Sequence, residues 1–596
     1  MKMKKFDSFK IAVQILWKSS RRYFILTFII NIFSVIPNII NLAVWKKILD
    51  LIYDFLMGNN VNYYLILLCI FLHFFLSMSS NILGRCSSFM QSIYSLLVQR
   101  YVTNETIEAV MCMRLMDLED SDIHNTVEKA NSQSCERIMA LLGKLVDFLK
   151  NMATFIGMSG ILISFNPVLY IIIVISVIPI ALYSHNYYSK IFTMYNGRYE
   201  KIRYSNELKN TISRSEIFKE LKLFNSIPYL KEKISTILDE VIREEKKVRS
   251  RLNMQGTASE VIQVFLTYVL KGAIIFIGMN YRYSIGTINM NMESATNIQG
   301  AVSNIITLII AIYEDCLYLD AFLELENIKK SNTLYVNSNK DIIKNFDIET
   351  IEFENVWFKY RENGNFVIKD FSYKFVVGKT YAIVGCNGSG KTTLVKIIMG
   401  LYKPQKGRIL LNGKPIDNYD INEYYEKISA VFQDFAKYPL TIRENIGMGN
   451  INENDNIEKI KLAAEKSYSE EFIKALPNQY EEKLIRGWKD SVDLSIGQWQ
   501  RIAIARANMR QGTVVIFDEP SASLDAKTES NVLNDVVVNK SNKIGIIITH
   551  RFLNIKKVDE ILVMNTGVLE AKGIHEKLID TNKIYKELYD SQKELM

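Results

Sequence analysis

The sequence predicts an α-helical membrane domain followed by an α/β domain built on a parallel sheet. Three observations carry that reading. Six runs of about 20 apolar residues, the length that crosses a bilayer, fall in the first 325 or so residues. The stretch GCNGSGKTT, Gly385 to Thr393, follows the apolar run TYAIV and fits the phosphate-binding pattern G-x-x-x-x-G-K-[ST]. The run VVIFDE, Val514 to Glu519, ends four apolar residues in two carboxylates, as a buried parallel strand does at its carboxyl edge.

The spans are expected at Tyr23 to Trp45, Tyr63 to Leu83, Leu142 to Ser164, Val168 to Tyr188, Val261 to Met279 and Ala301 to Leu319. A membrane domain over 1–335, a linker over 336–347 and an α/β domain over 348–596 follow from the change in composition. Lys18, Arg21 and Arg22 precede the first span, after four more lysines, which puts the amino terminus in the cytoplasm. Six spans return the chain to that side, so the α/β domain is cytoplasmic as well. The net charge of +8 belongs to this pattern of basic residues beside apolar runs, and argues against a nucleic-acid partner. No cleavable signal is expected, because no apolar core closely follows MKMKKFDSFK. Six cysteines, Cys69, Cys86, Cys112, Cys135, Cys316 and Cys386, show no metal-ligand spacing and read as buried free thiols.

Short turns at Asn166-Pro167 and at Tyr281 to Asn291 contrast with the long charged stretches Arg85 to Gly143 and Ser189 to Gln255. The long stretches are helical in pattern and would carry their helices well beyond the bilayer. Leu118 to Ala130 and Ile217 to Asn225 are candidate docking segments on them, or else solvated amphipathic helices. Polar residues inside spans either line a cavity or pair helix to helix. Asn31, Asn38, Asn41, Lys271, Glu314 and Asp315 are of this kind.

The α/β half holds the chemistry. Gly385, Gly388 and Gly390, with Asn387 and Ser389, let the backbone wrap phosphates; Lys391 reaches the β- and γ-phosphates, and Thr392 and Thr393 open the helix beyond. Thr392 and Asp518 suit a Mg²⁺ shell, and Glu519 suits a base for the attacking water. Gln433, after ISAVF, offers that metal a further oxygen. His550, closing GIIIT, is placed to hold the γ-phosphate, and Tyr360, on the face of Val356 and Phe358, to stack on an adenine. Taken singly, each of these last three reads rather as a residue that merely caps or packs a strand.

Together with LSIGQ (Leu494, Ser495, Ile496, Gly497, Gln498) and SLD (Ser523 to Asp525), these residues occur in the order and rough spacing of ATP-binding cassette transporters. Six spans ahead of one cassette resemble a half-transporter of the exporter type. The resemblance implies ATP and Mg²⁺ as ligands, alternating access driven by hydrolysis, and a site in the cell membrane. It makes LSIGQ a signature motif that meets the ATP held by a second chain, and Asp525 part of a dimer-communication loop. A second half-transporter, an identical chain, is therefore the implied partner. KELKLFN at Lys219 to Asn225, Trp499 and the Lys-, Asn- and Ile-rich composition resemble bacterial exporters of modified or antimicrobial peptides. A multidrug or lipid exporter stays open as an alternative. So does a weakly catalytic regulatory subunit, since Ile496 stands where the family usually has glycine. A soluble cassette ATPase is excluded by the spans.

Overall fold

The computed structural model describes residues 2–318, 320–337, 342–361, 363–485, 487–489, 491–519, 531–532, 542–549 and 552–593. The chain divides into two compact units, residues 1–113 with 121–331, and residues 114–120 with 332–596.

The first unit is entirely helical among its described residues. Its helices are α1 (Lys2–Ser19), α2 (Arg21–Phe33), α3 (Ile36–Leu56), α4 (Tyr63–Met111), α6 (Ser121–Phe165), α7 (Pro167–Ile175), α8 (Ile178–Ser213), α9 (Ser215–Leu223), α10 (Ile227–Asn280), α11 (Ile285–Tyr318) and most of α12 (Asp320–Asn337); α5 (Leu115–Glu119) belongs to the second unit. Six stretches are long and apolar enough to cross a membrane: Arg21–Leu56, Tyr63–Met111, Cys135–Phe165, Pro167–Tyr195, Ile227–Asn280 and Ile285–Tyr313. The first and fourth are each two helices joined end to end, with Pro37 and Pro179 in the opening turn of the second piece. Proline is tolerated there because its missing N–H would be unsatisfied in any case. At 54 residues α10 is about 80 Å long, against about 30 Å of hydrocarbon.

Three sequence expectations shift. The sixth span begins at Ile285 rather than Ala301, and the turn before it shrinks to 281–284. Asn289, Asn291, Glu293, Asn297 and Gln299 lower the local hydropathy and hid the first four turns of the helix. The docking stretch Leu118 to Ala130 breaks at Asp120: residues before it group with the second unit, whereas α6 beyond it packs in the first, where the Thr126 hydroxyl donates to Glu324. Of the cysteines, only Cys316 is buried, and Cys86 and Cys386 are exposed.

Several intramembrane polar groups pair helix to helix. Asn31 is buried, donating to the Thr27 carbonyl and accepting from Ser87 at 2.9 Å. Asp315 is 1% exposed and holds Lys144 at 2.6 Å and Arg137 at 3.5 Å. The Lys271 ammonium lies over the Tyr268 ring. Asn41 donates to Ser77, while Asn38 is exposed. The Glu314 side chain lies outside the described residues.

The second unit has two sheets. β1 (Thr350–Phe358), β2 (Ile368–Val376), β4 (Lys406–Leu411) and β5 (Lys414–Pro415) form an antiparallel sheet in the order β2-β1-β4-β5. β3 (Thr380–Gly385), β6 (Ile428–Val431), β7 (Val514–Asp518), β8 (Ile544–Ile548), β9 (Glu560–Asn565) and β10 (Val568–Gly573) form the other, in the order β10-β9-β3-β8-β7-β6. All its pairings are parallel except that of the edge strand β10. Burial on both faces explains why β3 and β8 are buried at every residue. One apolar core, including Phe353, Phe371, Phe375, Ile397 and Ile546, joins the two sheets through α13 (Lys391–Ile398). α14 (Ile421–Glu426) packs on that same core through Tyr424, whereas another core gathers Ile442, Ile446, Ile460, Ile473, Trp499 and Ile502 between α15 (Ile442–Gly447), α16 (Ile457–Lys466), α17 (Glu470–Lys474) and α18 (Ile496–Arg510).

Candidate active site

Because β3, β8, β7 and β6 run parallel in that spatial order, their carboxyl ends share one edge, where ligands of such sheets bind. The Gly-rich loop leaves β3 there. Asp518 is the last residue of β7, with Glu519 next, and Gln433 lies two residues past β6. Position 550 follows β8 by two residues, but His550 lies outside the described residues, as does Asp525 with the rest of SLD.

The loop is shaped by backbone that few side chains allow. Gly388 and Gly390 have φ of 76° and 96°, and a Cβ on Gly390 would come within 2.8 Å of the Ile368 side chain. Lys391, Thr392 and Thr393 then open α13, whose first N–H groups have no partner within the helix and favour an anion. The Lys391 ammonium is buried and donates to the carbonyls of Gly385 at 2.9 Å and Cys386 at 3.1 Å. Burial lowers its pKa from the ordinary lysine value, against the opposing pull of Glu519, Cys386 and Asp518.

Asp518 is 3% exposed. Its carboxyl is pushed up to about 6, chiefly by burial and then by the Glu519 charge, while a hydrogen bond from Thr392 and the charge of Lys391 work the other way. One of its oxygens, Oδ1, is buried with no hydrogen-bond partner among the described residues, and so is the Ser389 hydroxyl. A partnerless buried carboxylate oxygen beside a threonine hydroxyl is oxygen-donor chemistry that a hard cation completes, so these residues fit Mg²⁺. Gln433 Nε2 donates to Glu519 Oε2 at 2.9 Å, which leaves the Gln433 carbonyl oxygen as the atom for that shell. Glu519 itself takes φ 48°, a left-handed backbone costly for a residue with a Cβ and characteristic of functional sites. A cavity of ≈ 500 Å³ is lined by Asn387 to Thr393, Gln433 and Glu519.

Tyr360 lies two residues past β1, and its hydroxyl shares a 2.7 Å hydrogen bond with Thr393. Its ring meets Phe358 and Tyr402 edge-on. The signature residues are not in this cavity. Leu494 is buried, whereas Ser495 and Ile496 are exposed at the start of α18. Ser495 caps the helix through a reciprocal pair: its hydroxyl accepts from the Gln498 N–H at 3.3 Å, and its own N–H donates to Gln498 Oε1 at 2.9 Å. Gly497 sits in that first turn, and Trp499 anchors it in the core.

One contact of this unit was not foreseen. The Tyr402 hydroxyl donates to the Glu119 carboxylate on α5, at 2.8 and 2.7 Å from its two oxygens, with the Lys396 ammonium 3.6 Å away. Leu115 and Met116 pack against the core between the sheets. Tyr402 also stacks on Phe358, so α5 is one aromatic ring removed from Tyr360. In the sequence, only the acidic LEDSD stretch pointed here; nothing in LYKP marked the tyrosine.

Residues 368–522 match the family model described as ABC transporter. The chain is 29% identical to the subtilin transport ATP-binding protein of Bacillus subtilis, over 88% of this chain and 85% of that one. It is 25% identical to the nisin transport ATP-binding protein of Lactococcus lactis subsp. lactis, over 98% and 96%. A solved structure of a bacterial Atm1-family ABC exporter with ATP bound is similar in fold, with a TM-score of 0.76 and 19% identity, over 96% of this chain and 99% of that one.

Proposed function

We propose that this chain, an ABC transporter by its ATP-binding domain, exports a peptide across the cytoplasmic membrane as a pair of identical subunits. Similarity to the subtilin and nisin transport proteins over nearly the whole chain, membrane helices included, carries the cargo assignment. The site supports the pairing: Ser495 and Gly497 do not line the cavity of the loop in their own chain, which leaves them available to the loop of a second copy. The amino terminus and the cassette face the cytoplasm, as the basic residues before the first span support.

Hydrolysis is a phosphoryl transfer, governed by positioning and charge neutralisation. Thr392, Gln433 and Asp518 would hold a Mg²⁺ ion, which would supply charge neutralisation to the bound nucleotide. The backbone N–H groups of 387–393 receive phosphate oxygens, and Lys391 exchanges its carbonyl partners for the β- and γ-phosphates. Glu519 takes the proton of the attacking water, with Gln433 holding its carboxylate in place. Tyr360 offers its ring to the adenine, and His550 its imidazole to the γ-phosphate. The exposed start of α18 in the second copy closes the site with Leu494, Ser495, Gly497 and Gln498. Asp525 relays that closure between the subunits.

The test is ATP-dependent accumulation of a fluorescent peptide in inside-out vesicles containing the full chain. Accumulation in the wild type and none in Glu519→Gln is expected. Movement of a labelled lipid but of no peptide would overturn the cargo assignment.

A further inference from the structure

The membrane unit contains a cavity of ≈ 520 Å³ bounded by α3, α4, α6 and α11. Its lining is polar for a membrane interior and includes Asn41, Trp45, His73, Asn289, Glu293 and Asn297. The last three stand four residues apart on α11, and Asn304 continues the same face two turns later. Glu293, Asn297 and Asn304 are exposed. A carboxylate and a row of amides facing lipid would each be costly, so this face borders water or cargo.

The two described carboxylates of α11 differ in a telling way. Asp315 is buried and neutralised by Lys144 and Arg137. Glu293 has no ion pair among the described residues, although it lies within the span. Around it, Asn41 Oδ1 and His73 Nδ1 are both buried without a hydrogen-bond partner. A carboxylate and an unpartnered amide oxygen on one lining make a set rich in acceptors, and the set calls for a donor. The Trp45 ring, 5.2 Å from that of His73, adds a π face that favours a cation. An ammonium group satisfies all of these at once, whereas a phosphate brings more acceptors and a charge that Glu293 repels.

We propose that this cavity is a cargo subsite for the ammonium groups of a cationic peptide, with Glu293 as the counter-charge. The assignment rests on the peptide-export reading above, and the experiment separates the two. The full chain, reconstituted in zwitterionic lipid, is assayed for ATPase stimulation by peptides matched in length and apolar content that carry several lysines, none, or as many glutamates. Each variant is scaled to its own unstimulated rate. The lysine peptide is expected to act at a roughly tenfold lower concentration than the neutral one, and Glu293→Gln to erase that difference while Glu293→Asp keeps it. Asn297→Asp, which adds a carboxylate on the same face, should sharpen the preference for lysine; this gain does not depend on a variant losing function. Equal stimulation of the wild type and Glu293→Gln by all three peptides would overturn the subsite and leave peptide export standing. Stimulation by lipid and by no peptide would overturn both.

Discussion

At the residue scale, the cassette chemistry was legible because its side chains are tied to backbone features that few sequences share. A strand ending in Gly385, two glycines with left-handed backbone and a helix opening at Lys391 leave one reading. Gln433 and Glu519 had only their positions after apolar runs to recommend them, and the 2.9 Å bond between them joins two strand ends 86 residues apart. Glu519→Gln should lower ATP hydrolysis by at least about 100-fold, measured as phosphate release, with nucleotide binding retained. Ile496 is 60% exposed at the first position of α18, and the capping pair is made by Ser495 and Gln498 without its side chain. Replacing it by glycine should change the ATPase rate by less than about threefold, because the reciprocal cap of Ser495 and Gln498 stays intact. A large gain would show that Ile496 obstructs the motif. Glu293 escaped the sequence reading for the opposite reason: its amide neighbours depress the hydropathy that marks a span, so the polarity that makes the site interesting concealed the helix that carries it.

At the element scale, α5 is a single turn, too short to be stable by itself. Its order comes from Leu115 and Met116 against the sheet core and from Glu119 on Tyr402. The sequence marked an acidic helical stretch here but not where it breaks; the break at Asp120 is set by packing rather than by a proline or glycine. A hydrogen bond to a charged group contributes about 1.5–3 kcal/mol, enough for this turn to lose its seat on the cassette without it. Tyr402→Phe and Glu119→Ala should therefore each cut transport by roughly tenfold while ATP hydrolysis stays within about twofold. Parallel loss of both activities would mean that the contact serves folding instead. The apolar residues of α9, Phe218 and Leu223, and the neighbouring Phe224 are exposed, and no comparable partner for them stands among the described residues.

At the scale of the whole molecule, the sequence made the two-part architecture plain, because membrane spans and a parallel-sheet cassette have opposite hydrophobic patterns. A site shared between copies makes a prediction that no self-contained site does. Chains bearing Lys391→Ala and chains bearing Gly497→Asp should each be inactive alone. Co-assembled, they restore hydrolysis to about a quarter of the wild-type rate, since half the pairs are mixed and each mixed pair holds one intact site. No recovery would refute the shared site. The grouping of residues 114–120 with the cassette also bears on how the protein can be taken apart. A fragment beginning at residue 332 would lack RLMDLED, leaving bare the apolar seat of Leu115 and Met116 and the Tyr402 hydroxyl without its acceptor. Such a fragment should be prone to aggregate, and the free heptapeptide should raise its melting temperature, more than the same peptide with alanine for Glu119. A cassette exchanged between relatives would, by the same logic, have to travel with the seven-residue turn that completes its core.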